Sequence, residues 1–254
     1  MKIPLMALCC ITTLIAFSQQ SGRMETDRPD QTESPSIVKH RYIQAELGFN
    51  MERNGSLTIL VLPTVLWKYG LSKDVELRLI TQLNSEELQR SPTAGKSSAT
   101  GLLPVEFGGK LSLWEERGLL PKTSVIAQVG IPTFASAYYR VSKYTPGFRF
   151  TMQHTLSERV GIGYNLGVEW SDEVHTPFWI YTFGPGYNVG KRGYAYIELF
   201  GEFHQYLAPH HNLDAGFAYY ISDNAKLDIS SGFNLENTNA FYIALGFSLR
   251  FKAF

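Results

Sequence analysis

Charged and amide side chains recur at spacings of two and four along this chain. Gln44 precedes Glu46, Glu76 precedes Arg78, Glu106 precedes Lys110, Arg149 precedes Gln153, Asn165 precedes Glu169, and Glu198 precedes Glu202. Residues two or four apart share one face of a β-strand. With Gln128, Asp214, Asp228 and Arg250 the set holds eight acids and four bases, in a chain that carries 23 of each sign. Two chemistries are open to such a set. In a narrow polar interior its members pair with one another, because inward charges need partners. Along a passage, its acidic excess favours cations and polar neutral molecules over anions.

The elements that would position these residues are strands. From Tyr42 onward apolar residues alternate with polar or small ones, as in IQAELGFN, VELRLITQL and LDISSGFNL. Period two predicts β-structure, and 13 % aromatic residues favour it. Twelve strands are expected, over 41–52, 57–70, 74–84, 103–115, 122–133, 146–156, 160–171, 177–189, 193–205, 211–221, 225–236 and 240–252. Several of the alternating runs have the length a tilted strand needs to cross a bilayer, roughly 9–11 residues. Every second connection is short and charged, and the intervening ones include the long polar stretches 83–101 and 131–146. Tight turns at one end and loops at the other predict a closed antiparallel transmembrane β-barrel, all-β in class. Closure follows because no strand edge can face lipid.

Before the strands lie two further segments. Residues 1–18 read as a cleaved signal peptide, with an apolar run from Ile3 to Phe17 and the triplet Ala16-Phe17-Ser18. Both cysteines, Cys9 and Cys10, fall inside it, so the mature chain is expected to have no thiol. Residues 19–40 would then form an N-terminal segment at the periplasmic mouth, ahead of a barrel over 41–254. Its METDRPDQTESPS stretch has two prolines, which oppose helix and central strand. Asp27, Asp30 and Glu33 offer acceptors, and Arg28 offers a planar fork of donors. The expected arrangement is a plug with Arg28 reaching acids such as Glu46, Glu198 or Glu202.

Glu25-Thr26-Asp27-Arg28-Pro29-Asp30-Gln31-Thr32-Glu33-Ser34-Pro35, followed by Ile43-Gln44-Ala45-Glu46-Leu47-Gly48-Phe49, resembles the start of a transporter-like outer-membrane family once labelled for a phenol-degradation pathway. Phe107-Gly108-Gly109-Lys110-Leu111, Glu198-Leu199-Phe200-Gly201-Glu202, Asp214-Ala215-Gly216-Phe217-Ala218-Tyr219, Leu227-Asp228-Ile229 and Gly246-Phe247-Ser248 continue the likeness in order. The resemblance implies a barrel in the Gram-negative outer membrane that passes small molecules, hydrophobic or aromatic ones among them. In FYIALGFSLRFKAF, Gly246, Leu249, Phe251 and Phe254 resemble the terminal-strand signal read by the barrel-insertion machinery.

The expected partners are therefore outer-membrane lipid, that machinery and a small-molecule solute. Zero net charge leaves no footprint for nucleic acid. No cofactor or metal is expected: His204, His210 and His211 read as solvated loop histidines. A non-conducting structural barrel and a lipid-modifying enzyme are the alternatives. His154, Ser157 and Asn165 resemble the residues of outer-membrane phospholipase A, but that family wants His and Ser two apart on one strand face, and Ser157 lies three on in a turn. Trp67, Trp114, Trp179, Tyr138 and Tyr144 lie toward strand ends, where interfacial girdles sit.

Overall fold

The computed structural model describes residues 22–89, 95–172, 174 and 176–253. The expected signal peptide with both cysteines, and Phe254, lie outside the described residues. Thirteen strands follow in order: β1 (Tyr42–Asn54), β2 (Leu57–Gly70), β3 (Val75–Gln89), β4 (Lys96–Leu102), β5 (Val105–Trp114), β6 (Lys122–Ile131), β7 (Thr145–Thr155), β8 (Val160–Glu169), β9 (Phe178–Val189), β10 (Gly193–Phe203), β11 (His210–Ser222), β12 (Ala225–Asn234) and β13 (Ala240–Lys252). Neighbours pair antiparallel. β13 returns to β1, and β2 also pairs with β3, so the sheet closes.

β4 and β5 both lie on β3, β4 along Leu83–Gln89 and β5 along Val75–Ile80. They form one stave interrupted at Leu103-Pro104, where proline removes a ladder donor. The barrel thus has twelve staves. One expectation is corrected here: the stretch 83–101 is not a loop throughout, because β3 continues to Gln89 and β4 begins at Lys96. Strands that project past the bilayer need no apolar face, so polar composition does not distinguish them from loops.

Alternation separates two environments. Along β12, Lys226, Asp228 and Ser230 are buried while Leu227 and Ile229 are exposed. Leu77, Phe107, Phe148, Phe183, Phe217 and Leu245 likewise stand outward. An exposed apolar band around a closed sheet is the lipid face of a membrane barrel. Among the described residues no helix is long and apolar enough to cross a membrane, so the strands do the crossing. At the tight-turn end, Ser72 Oγ accepts from the Asp74 and Val75 amides, Ser157 Oγ from Arg159 and Val160, and Ser222 Oγ from Asn224. These serines close turns.

Candidate functional site: the lumen and the segment within it

Residues 22–41 do not join the sheet, apart from a single bridge between His40 and Gly70, and from Met24 to Val38 they run inside the barrel. Most of the segment's backbone groups that meet the wall are received by side chains. Glu46 accepts from the amides of Asp27 and Arg28 at 3.0 and 3.1 Å, Glu198 from Gln31 at 2.7 Å, and Glu76 from Val38 at 2.9 Å. Asn165 accepts from the Glu33 amide at 2.7 Å and donates to its carbonyl at 3.0 Å. Lys110 donates to the Ser34 carbonyl at 2.7 Å, Ser124 to that of Pro35, Tyr196 to that of Pro29, and Lys226 to that of Arg28. A coil without secondary structure survives in a confined space only if its amides and carbonyls are met in this way.

Side chains add an electrostatic layer. Asp27 is gripped by Lys68 at 2.6 Å, Arg78 at 2.9 Å and Lys110 at 3.2 Å, from β2, β3 and β5. Burial opposes its ionisation, but Lys110, Lys68 and Arg78 outweigh burial and hold its carboxyl well below the usual range. Arg28, the next residue, faces the opposite wall and pairs with Asp228 of β12 at 3.0 Å. Glu33 pairs with Arg78 at 2.8 Å and lies 3.8 Å from Arg149. Asp30 accepts from Tyr194, and its carboxyl is pushed up to about 7 by burial and then by Glu198.

The expectation for Arg28 is therefore corrected: its partner is Asp228, and not Glu46, Glu198 or Glu202. The oxygens of Glu46 are taken by two backbone amides, Gln44 and Lys68, and those of Glu198 by the Gln31 amide and the Thr32 hydroxyl. The notch that admits the guanidinium is made by Gly48 and Gly246, where a Cβ would collide with it.

The remaining lumenal residues fall into two levels. Glu76, Arg78, Lys110, Glu198 and Asp228 meet the segment, and Arg149 reaches it from the loop side, donating to the Gln31 carbonyl at 3.3 Å. Glu106 accepts from Gln128 at 2.7 Å, and Arg149 pairs with Glu169 at 3.0 Å. These residues, with Glu202, lie nearer the loop end and give that side an acidic wall. Asp214 accepts from Tyr242 and Tyr196. Arg250 sits at the turn-end rim, donating to Asn224 at 2.9 Å and lying over the Tyr42 ring. A cavity of about 810 Å³ opens around the segment at the turn end, and one of about 120 Å³ lies on its other side between Arg28, Gln31, Gln82 and Ser230.

Sequence reasoning missed Lys68, Lys226 and the inward tyrosines Tyr194, Tyr196 and Tyr242. Extending the β12 alternation back from Asp228 would have found Lys226. His154 stacks on Tyr164, Ser157 closes its turn and Asn165 binds Glu33, so the three never meet. His204 contacts Thr176 and His211 contacts Tyr181. Among the described residues, no group of three His, Cys, Asp or Glu could hold a metal.

The family described as "Putative MetA-pathway of phenol degradation" matches residues 26–251. The chain belongs to this family. No curated protein matches the sequence. Among solved structures, this family member is similar to an outer membrane channel from Pseudomonas putida F1, with a TM-score of 0.67 and 12 % identity over 89 % of this chain and 100 % of that one. It is also similar to the KdgM porin in complex with disordered oligogalacturonate, with a TM-score of 0.53 and 9 % identity over 80 % and 98 %. The transport unit of the autotransporter AIDA-I from Escherichia coli follows at a TM-score of 0.51 and 9 % identity over 89 % and 92 %. The fold is that of an outer-membrane β-barrel.

Proposed function

We propose that this family member is a narrow outer-membrane channel for small polar solutes, constricted toward its periplasmic end by residues 25–38. The observation that carries this reading is what occupies the lumen. In a barrel sealed for purely structural reasons, wall side chains meet across the middle. Here the wall meets a separate, tethered coil, with cavities on both of its sides. The carboxylates, amides and ammonium groups that face inward favour solutes that form hydrogen bonds. The chain acts as a conduit and not an enzyme, a role supported by the dispersal of His154, Ser157 and Asn165. On β13, outward Leu249 and Phe251 with inward Gly246 serve the barrel-insertion machinery.

The test is conductance in planar bilayers of the chain lacking residues 24–36, after its heat-modifiable migration shows that it is folded. Conductance should rise several-fold over the intact chain. Unchanged conductance in a folded deletion variant would overturn the reading.

A further inference from the structure

The lumen treats its occupant as a peptide. Glu46, Glu198 and Asn165 receive the main-chain amides of Asp27, Arg28, Gln31 and Glu33, while Lys110, Tyr196 and Lys226 donate to main-chain carbonyls. Main-chain recognition gives affinity with little dependence on sequence, and side-chain pockets add selectivity. Two such pockets are present, on opposite walls. One is the three-cation cluster around Asp27, the other the Asp228 wall that takes Arg28.

We infer that the solutes this lumen recognises are short peptides with neighbouring acidic and basic groups, and that residues 25–38 hold the peptide site as a tethered occupant. The inference rests on the channel reading and names its solute class. A phenolic solute has one polar group and would leave most of these buried wall donors and acceptors without a partner, which is costly. A sugar acid could answer the cations around Asp27 but brings no cation for Asp228. The present occupant also leaves part of the site unanswered. The second Asp228 oxygen and the Ser230 and Ser248 hydroxyls are buried and make no hydrogen bond to any described protein atom. Ser230 borders the cavity of about 120 Å³ beside Arg28, so an untethered peptide has further groups to engage.

The experiment uses the full chain in detergent, with acetyl-Asp-Arg-Pro-amide, phenol and galacturonic acid as probes in calorimetry. In the double variant Asp27→Ala, Arg28→Ala the peptide should bind at least tenfold tighter than either comparator and tenfold tighter than to the unaltered chain. Adding Lys110→Gln should weaken it about tenfold. In the unaltered chain, a glutamate-specific protease should cut at Glu33 faster when the peptide is added, a readout that does not require the double variant to fold. Absence of both effects, or phenol or galacturonic acid matching the peptide, overturns the inference. Solute uptake into liposomes separates the two proposals. Peptide binding without uptake of any solute sinks the channel reading alone. Uptake of all three probes without a peptide preference in binding sinks the inference alone.

Discussion

Gly48 and Gly246 lie directly opposite one another across the β1–β13 pairing, and the Arg28 guanidinium fills the space that two absent side chains leave. The position is set by register. A slip of one residue in either strand would turn its glycine outward and close the notch. Gly48→Ala or Gly246→Ala should therefore expel Arg28 while the sheet stays paired. Conductance should rise in both variants, with unchanged sheet signal in circular dichroism; an intact closed state in either would remove the notch from the explanation.

Arg28→Ala leaves Asp228 buried without its partner, a loss of about 3 kcal/mol for a charge pair in a confined site. Arg23 donates to the Lys191 carbonyl at 3.2 Å and lies over the Tyr220 ring at 4.1 Å, near the rim. Arg23→Ala should cost within about 1 kcal/mol. Urea unfolding of the two variants in detergent gives the comparison, and equal destabilisation contradicts the assignment of Arg28 as the anchor.

Acidity should tighten the constriction above pH 4. In the docked segment the Asp30 carboxyl is pushed up to about 7 by burial and then by Glu198, against about 3.9 when free. The docked state therefore binds more protons between those values, and docking weakens as pH rises through that window. Asp27, held low by its three cations, acts in the opposite sense, and its contribution is lost only as pH falls well below 4. Conductance should be higher at pH 8 than at pH 5, and Asp30→Asn should flatten the difference. A higher conductance at pH 5 contradicts the sign.

Access to thiol reagents should follow the two levels of the lumen. Glu202→Cys lies on the loop side and should react with a membrane-impermeant maleimide added outside cells. Ser248→Cys is fully buried under the docked segment and should be protected, becoming reactive when Arg28→Ala is added. Equal labelling of both single variants would place the constriction elsewhere.

How much of this was legible depends on whether alternation survived. The staves from β7 to β13 keep their period apart from a shift at the end of β11, between Tyr220 and Ser222, so their approximate bounds and inward carboxylates could be read directly. The bounds of β2 were legible too, at 57–70, but its inward face was not, because its pairing with β3 shifts between Val61 and Thr64, around Pro63. Val61 is buried before the shift and Lys68 after it, at opposite parity. In an otherwise apolar strand that reversal concealed the cation that touches both Asp27 and Glu46. The Arg28 partner was hidden for another reason. The inward carboxylates look alike in sequence, and only the absence of side chains at two glycines distant in the chain selects Asp228.

The pairing of Arg28 with Asp228 joins residues 200 positions apart, and Lys226 reaches the same segment from the same strand. Those partners lie on β12, whereas Lys68, Arg78 and Lys110 lie on β2, β3 and β5. Asp27 can thus be held by β2, β3 and β5 alone, but Arg28 has no acid until β12 is in place and no notch until β13 meets β1. Final seating of residues 25–38 is in effect a report that the sheet has closed, and an unclosed barrel would be distinguished by a protease-sensitive segment.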